Sequence, residues 1–324
     1  MVKIDLVKKD PTLEAADEAL EASGNREPSR TYVGISQIGG CARKVYYSFL
    51  MCDRMPFDAV TLKRFADGHR TEDLVIERLR AVEGITLIDR DPDTGKQIEV
   101  SDHDGHHLGH TDGEILGLIQ APKTWHVFEV KCVGDQAFAR FQKLKRDCNN
   151  DKAVLKQWNE TYYAQAQEYM MYRGMTRHYM VVASAGGRMW DSIRTDYDSD
   201  AAAYYTDRAR QIIYEPEIIP DRISENASYY QCNWCEFSNV CHDGVPPPRN
   251  CRTCVYSIAV AEGNWHCQFH DQIRSSAEQR QGCDHQRYRP PLVPGILLNS
   301  DDDANTVTYR LADGSEWTDT GAPI

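Results

Sequence analysis

Between residues 59 and 82, apolar side chains recur at helical spacing. Leu62, Phe65, Leu74, Val75, Ile76 and Leu79 supply one face and predict a long helix. From 84 to 132 the pattern changes to short apolar runs separated by the turn clusters Asp91-Pro92-Asp93 and Asp102-His103-Asp104-Gly105. It predicts strands at 85–88, 96–100, 106–119 and 125–132. Helical stretches follow at 135–146 and 152–173, then strands at 178–183 and 188–193 joined by Ala185-Gly186-Gly187, then a helix at 200–214. Near the start, Asp10-Pro11 opens a short acidic helix to Glu21 within a peripheral arm of residues 1–30. Ser36 or the glycines Gly39-Gly40 start another helix, with Cys41 in its first turn. This order of helices and strands predicts a mixed α/β core.

The stiff stretch Gly244-Val245-Pro246-Pro247-Pro248-Arg249-Asn250 predicts a domain boundary. The expected division is an arm (1–30), a main α/β domain (31–243), a cysteine-rich module (244–290) and a tail (291–324) whose Ala312-Asp313-Gly314-Ser315 signals a hairpin.

Composition narrows the class. A chain of 324 residues, 41% hydrophobic, can bury a sizeable core, and it has no apolar run long enough for a membrane span. The first residues lack the apolar run of a secretory signal. The net charge of −12 argues against wrapping nucleic acid over the whole surface, but leaves room for a local basic groove. Eleven cysteines without a signal are not a disulfide framework, which points to a reducing, cytoplasmic setting.

The candidate chemistry centres on Gly109–Lys131. Glu129 and Lys131, two apart on a strand, share a face, while Phe128 and Val130 point the other way into a core. If Asp112 joins them, two carboxylates repel by roughly 4 kcal/mol at about 4 Å with an effective dielectric near 20. A divalent cation removes that penalty, and hard oxygen ligands suit Mg²⁺ or Mn²⁺. A lysine beside the metal can orient the attacking water. Downstream, Arg140, Lys143, Lys145, Arg146, Lys152 and Lys156 form the densest positive stretch, fit for phosphates. Gln165 and Tyr169 lie one turn apart on one helix face.

Two cysteine sets stand apart. Cys232, Cys235 and Cys241 form C-x₂-C-x₅-C, whose fourth ligand must come from afar, with Cys41 the candidate; thiolates of this kind select zinc or an iron–sulfur cluster. Cys251, Cys254, Cys267 and Cys283 form a second set suited to Zn²⁺, with His270 or His285 as a substitute ligand. Trp265 and Tyr288 could stack on bases, but a small module needs such rings for its core.

Asp112 with Glu129-Val130-Lys131 resembles the active site of the PD-(D/E)XK nucleases. Cys41-Ala42-Arg43-Lys44-Val45-Tyr46-Tyr47, the Gly68-to-Glu72 step, Gln165-x-x-x-Tyr169 and the cysteine triplet, all in family order, resemble the RecB-like branch that carries an iron–sulfur staple, including CRISPR-associated members. Many iron–sulfur members have histidine where this chain has Glu72. The resemblance spans 36–241. It implies a restriction-endonuclease-like core, a central mixed sheet flanked by helices. It also implies a Mg²⁺- or Mn²⁺-dependent deoxyribonuclease, an exonuclease of recombination, repair or phage DNA processing. Its catalytic residues would be Asp112, Glu129, Lys131, Glu72, Gln165 and Tyr169, with Glu72, Asp112, Glu129 and Val130 at the divalent metal. A [4Fe–4S] cluster would sit on Cys41, Cys232, Cys235 and Cys241, and Arg43, Lys44, Arg140, Lys143, Lys145, Arg146 and Lys156 would hold DNA. Linear duplex or single-stranded DNA is the implied substrate, with a recombinase or annealing protein as partner. The competing classes are a non-catalytic DNA-binding or assembly subunit on the same frame, and an endonuclease.

Overall fold

The computed structural model describes residues 10–25, 30–52 and 56–321. In chain order the elements are α1 (Pro11–Gly24), β1 (Val33–Gly34), α2 (Ala42–Phe49), α3 (Ala59–Arg80), β2 (Thr86–Ile88), β3 (Ile98–Asp102), β4 (His107–Thr111), β5 (Gly113–Leu116) and β6 (His126–Val133). Then come α4 (Asp135–Asp147), α5 (Val154–Trp158), α6 (Glu160–Tyr172), β7 (Arg177–Ser184), β8 (Trp190–Asp196), α7 (Ser199–Tyr214), α8 (Tyr230–Asn233) and α9 (Ser238–His242). The last part holds β9 (Ser257–Val260), β10 (Asn264–Cys267), β11 (Gln272–Arg274), α10 (Ser276–Gln281), β12 (Gly295–Asp301), β13 (Thr306–Leu311) and β14 (Glu316–Asp319). Among the described residues no helix is long and apolar enough to cross a membrane.

The fold is mixed α/β. The central sheet runs β2-β5-β6-β7-β8, antiparallel except for the parallel pair β6 and β7. Parallel neighbours need a crossover, which α4, α5 and α6 supply. Alternation along β6 sorts its side chains. Phe128 and Val130 enter an apolar layer with Val75 and Ile76 of α3, and Val127 enters the larger core on the other side. A smaller sheet, β1-β4-β3, leans on α6 through His107. Both ring nitrogens of His107 face acceptors: Nδ1 lies 3.0 Å from the Val33 carbonyl and Nε2 3.1 Å from the Glu168 carboxylate.

Three expectations need correction. The strand expected over 106–119 is two strands in two sheets, β4 and β5, with Asp112 at the bend between them. Gly113 permits this turn: its φ is +154°, and a Cβ there would lie 2.7 Å from the Ile88 carbonyl oxygen. The helix expected over 152–173 breaks at Asn159, whose extended backbone ends α5 and whose side chain accepts from the Tyr162 amide to cap α6. Cys41 is not in the first turn of α2 but just before it, with extended backbone.

The acidic helix of the arm forms as α1 and packs on α3, where the Glu21 carboxylate accepts from the Ala59 amide at 2.8 Å. Beyond 244 the chain lies against the body of the fold. Arg252, buried, stacks over Trp265 and donates to the carbonyls of Thr31 and Phe49. Trp265 and Tyr288 are core residues. The expected hairpin forms as β13 and β14, joined by β12 into a three-stranded sheet.

Candidate active site

Asp112 sits where one sheet hands over to the other, and β6 captures it. The Val130 amide donates to Asp112 Oδ2 at 2.7 Å, extending the β5–β6 pairing with a side-chain bond. Glu129 and Lys131 flank that amide on the opposite face of β6 from Phe128 and Val130. Lys131 Nζ donates to Glu129 Oε2 at 2.5 Å. Helix α6 closes over the pair. Gln165 Nε2 lies 3.3 Å from Glu129 Oε1 and 3.4 Å from the Tyr169 hydroxyl, which donates to the His110 carbonyl at 2.7 Å. From α3, Glu72 reaches the same place and accepts weakly from Gln97 at 3.4 Å. Asp112, Glu72, Lys131, Gln165 and Tyr169 line one polar cavity of about 540 Å³.

The electrostatics describe a site short of positive charge. Burial, then the charge of Asp112, pushes the Glu129 carboxyl up to about 8. The same two causes push Glu72 up to about 7. Burial raises Asp112 as well, against the pull of Lys131. Burial works against the Lys131 ammonium, but the Glu129 and Asp112 charges more than offset it, and its pKa is raised. Carboxyls that raise one another's pKa are the donor set that a hard cation relieves. Among the described residues no three His, Cys, Asp or Glu side chains stand close enough to form a ready metal cage. Mg²⁺ does not require one, since it is commonly bound through one or two carboxylates, waters and substrate phosphates.

The sequence reading missed the cavity's other basic side chains. Arg30 and Arg90 line it, and His69 lowers the Asp112 pKa through space. Arg30 lay in the stretch read as an arm. His69 stands three residues before Glu72, a helical step whose significance was legible once Glu72 was singled out. The expected phosphate-binding residues lie elsewhere. Arg140 donates to the Trp158 carbonyl, Lys145 pairs with Asp191, and Lys152 pairs with Asp196. Lys156 covers the Tyr163 ring, Arg43 donates to the Pro220 carbonyl, and Lys44 pairs with Glu236 at 2.8 Å. None of these, nor Lys143 or Arg146, lines the cavity over Asp112.

Both cysteine sets are drawn together. Cys41, Cys232, Cys235 and Cys241 line one cavity, and Cys251, Cys254, Cys267, Cys283 and His285 line another of about 10 Å³. Burial, then the neighbouring Cys41 and Cys241, raises the Cys232 thiol. Burial and the three other thiols push Cys251 up to about 11. Cys283 Sγ lies 3.6 Å from His270 Nε2. Neither set meets the spacing of a formed metal cage among the described residues.

No family model matches the chain, and no curated protein matches it. Solved structures do. The crystal structure of SSO0001 is 13% identical, with a TM-score of 0.39, covering 72% of this chain and 96% of that one. LHK-Exo in complex with dAMP is 14% identical, with a TM-score of 0.40, covering 62% of this chain and 92% of that one. A phage related exonuclease from Haemophilus somnus 129PT is 11% identical, with a TM-score of 0.35, covering 53% and 77%.

Proposed function

We propose that the chain is a metal-dependent deoxyribonuclease, an exonuclease that hydrolyses phosphodiester bonds in recombination, repair or phage DNA processing. One observation carries this reading: Asp112 and Lys131 meet Glu72, Gln165 and Tyr169 at one polar cavity, with Glu129 buried behind its wall and bonded to Lys131 and Gln165. A binding module has no use for a half-buried lysine bonded to a carboxyl whose pKa burial and then a second carboxyl raise. Asp112, Glu129, the Val130 carbonyl and Glu72 would hold Mg²⁺ or Mn²⁺, which when bound lowers the pKa of water and neutralises charge on the phosphate. Lys131 positions the attacking water on the Glu129 side. Gln165 fixes the Glu129 carboxylate, and Tyr169 fixes Gln165 through the His110 carbonyl. Arg30 and Arg90 at the cavity wall receive the phosphates flanking the scissile bond.

In the same reading the nuclease domain spans 31–243, with the cysteine-rich module at 244–290. Cys41, Cys232, Cys235 and Cys241 would hold a [4Fe–4S] cluster, joining the start of α2 to α8 and α9. Cys251, Cys254, Cys267 and Cys283 would hold Zn²⁺. What supports both is the gathering of four thiols around one cavity, where burial and then the neighbouring thiols raise Cys232 in one set and Cys251 in the other, a penalty that a bound cation removes.

The test is cleavage of end-labelled linear duplex, linear single-stranded and closed circular DNA with Mg²⁺ or Mn²⁺. The expected result is digestion of linear DNA only, lost in Lys131→Ala with DNA binding retained. Cleavage unchanged by Lys131→Ala refutes the catalytic assignment, and cutting of closed circles refutes the exonuclease.

A further inference from the structure

The cavity over Asp112 does not end at the catalytic residues. Ser36 is a wall of that cavity and also of the cavity of about 420 Å³ that holds the first cysteine set. Ser36 and Gln37 also line a third cavity of about 280 Å³, which shares Arg30 with the catalytic one. The three hollows therefore meet at the short turn between β1 and α2.

The far side of the cysteine cavity is unusual for a surface in water. Trp234 is 84% exposed and Tyr230 64% exposed, and Ile223 stands beside them. Adjoining apolar rings left in water mark an interaction site more often than a packing accident. The charge around them is also distinctive. In a chain of net charge −12, this cavity is lined by Lys44 and Arg222 and, among the described residues, by no carboxylate. Their acidic partners lie outside it: Glu236 is 2.8 Å from Lys44, and the exposed Glu225 is 3.5 Å from Arg222.

We propose that this surface is the track for a single strand of DNA continuous with the strand in the Asp112 cavity. The strand crosses Ser36 and Gln37, with its phosphates near Arg30, Lys44 and Arg222 and its bases stacked on Trp234 and Tyr230. Exposed rings interleaved with cations suit a single strand, whose bases offer free faces, better than a duplex or an apolar protein surface. The proposal rests on reading the Asp112 cavity as a phosphodiester site.

Binding and chemistry are measured separately. Affinity for a fluorescein-labelled single strand of about 30 nucleotides is read by anisotropy in EDTA, where Trp234→Ala is expected to weaken binding about tenfold. Trp234→Phe is expected to restore most of it, and Trp234→Leu not, which separates stacking from apolar packing. Hydrolysis of the p-nitrophenyl ester of thymidine 5′-phosphate with Mn²⁺ reads the cavity alone, and Trp234→Ala is expected to leave it unchanged. If the ester is hydrolysed but Trp234→Ala binds the long strand within twofold of the parent, the track is wrong and the nuclease stands. If neither protein touches the ester yet binding falls tenfold, the track stands and the nuclease reading is wrong. Photocrosslinking of the unaltered protein to a strand carrying 5-iododeoxyuridine is expected to label Trp234 or Tyr230. Crosslinks confined to other surfaces overturn the proposal even if the variants misfold.

Discussion

Lys131 and Glu129, neighbours on one face of β6, form a partly buried ion pair with Nζ 2.5 Å from Oε2. The lysine holds in place a carboxylate that the fold otherwise pushes toward its neutral form. Glu129 is nearly solvent-free and has Asp112 as its neighbour, so the pair stands in for part of the charge that a cation brings.

This sets the pH dependence of stability. Glu129 and Glu72 are raised to about 8 and about 7, above the ordinary carboxyl range, so at these two groups the folded chain holds more protons than the unfolded chain in that window. The contribution of these two carboxyls to stability in EDTA is therefore expected to be lost as pH rises through about 7 and about 8, while the buried His178, His106 and His126, whose pKa burial lowers, act in the opposite direction. Thermal unfolding along that range checks it. The difference in midpoint between the parent and Glu129→Gln, which cancels the histidines, should fall as pH rises, and Mg²⁺ should raise the parent midpoint more at the alkaline end, where the carboxylates are already ionised. A difference that rises steadily with pH contradicts the assignment.

Glu168 and His107 are both fully buried and pinned between β4 and α6. Removing one partner strands the other. Glu168→Ala is expected to cost about 3–5 kcal/mol in urea unfolding. Glu168→Leu combined with His107→Leu should cost clearly less than the single change. Equal losses would mean that the pair does not couple.

Tyr169→Phe deletes the hydroxyl between Gln165 and the His110 carbonyl. About 1–2 kcal/mol of stability should go with it. Turnover should fall while KM for DNA changes little, because the altered contact positions Glu129 and touches no substrate. Steady-state kinetics on linear DNA separate the two parameters.

Gly113→Ala forces a methyl group to 2.7 Å from the Ile88 carbonyl, in a backbone region that side chains avoid. The strand must shift and carry Asp112 with it. The expected outcome is a fold less stable by about 2 kcal/mol and a cleavage rate reduced far more than that loss explains. Activity at a temperature well below unfolding makes the comparison.

The cysteine sets are expected to act independently. Cys235→Ser should remove iron and the broad absorbance near 400 nm expected of an anaerobically prepared [4Fe–4S] protein, while zinc stays. Cys254→Ser should do the reverse. Elemental analysis of both variants decides, and a zinc-only, colourless parent protein excludes the cluster.

Much of this was written in the chain itself. Spacing alone located α3, α4, β6 and β7, and two-residue alternation put Glu129 and Lys131 on one face and Phe128 and Val130 on the other, because side-chain direction along a strand is local geometry. The cysteine spacings likewise singled out the two sets that the fold gathers. Asp112 was legible as a residue but not as a junction: nothing local says that a run of strand-forming residues divides between two sheets, since that depends on which partners pair with each half. The break at Asn159 is similar, because its side chain was open to a cap or a helix interior until α6 had a core to face. The cavity's other basic side chains were hidden for the same reason. Arg30, His69 and Arg90 come from three distant segments, and only tertiary packing brings them beside Asp112, while Arg140 and Lys145 of α4 turn to the Trp158 carbonyl and Asp191. Periodicity fixes the direction of a side chain relative to its own element; what that side chain meets depends on long-range contacts that no window of sequence contains.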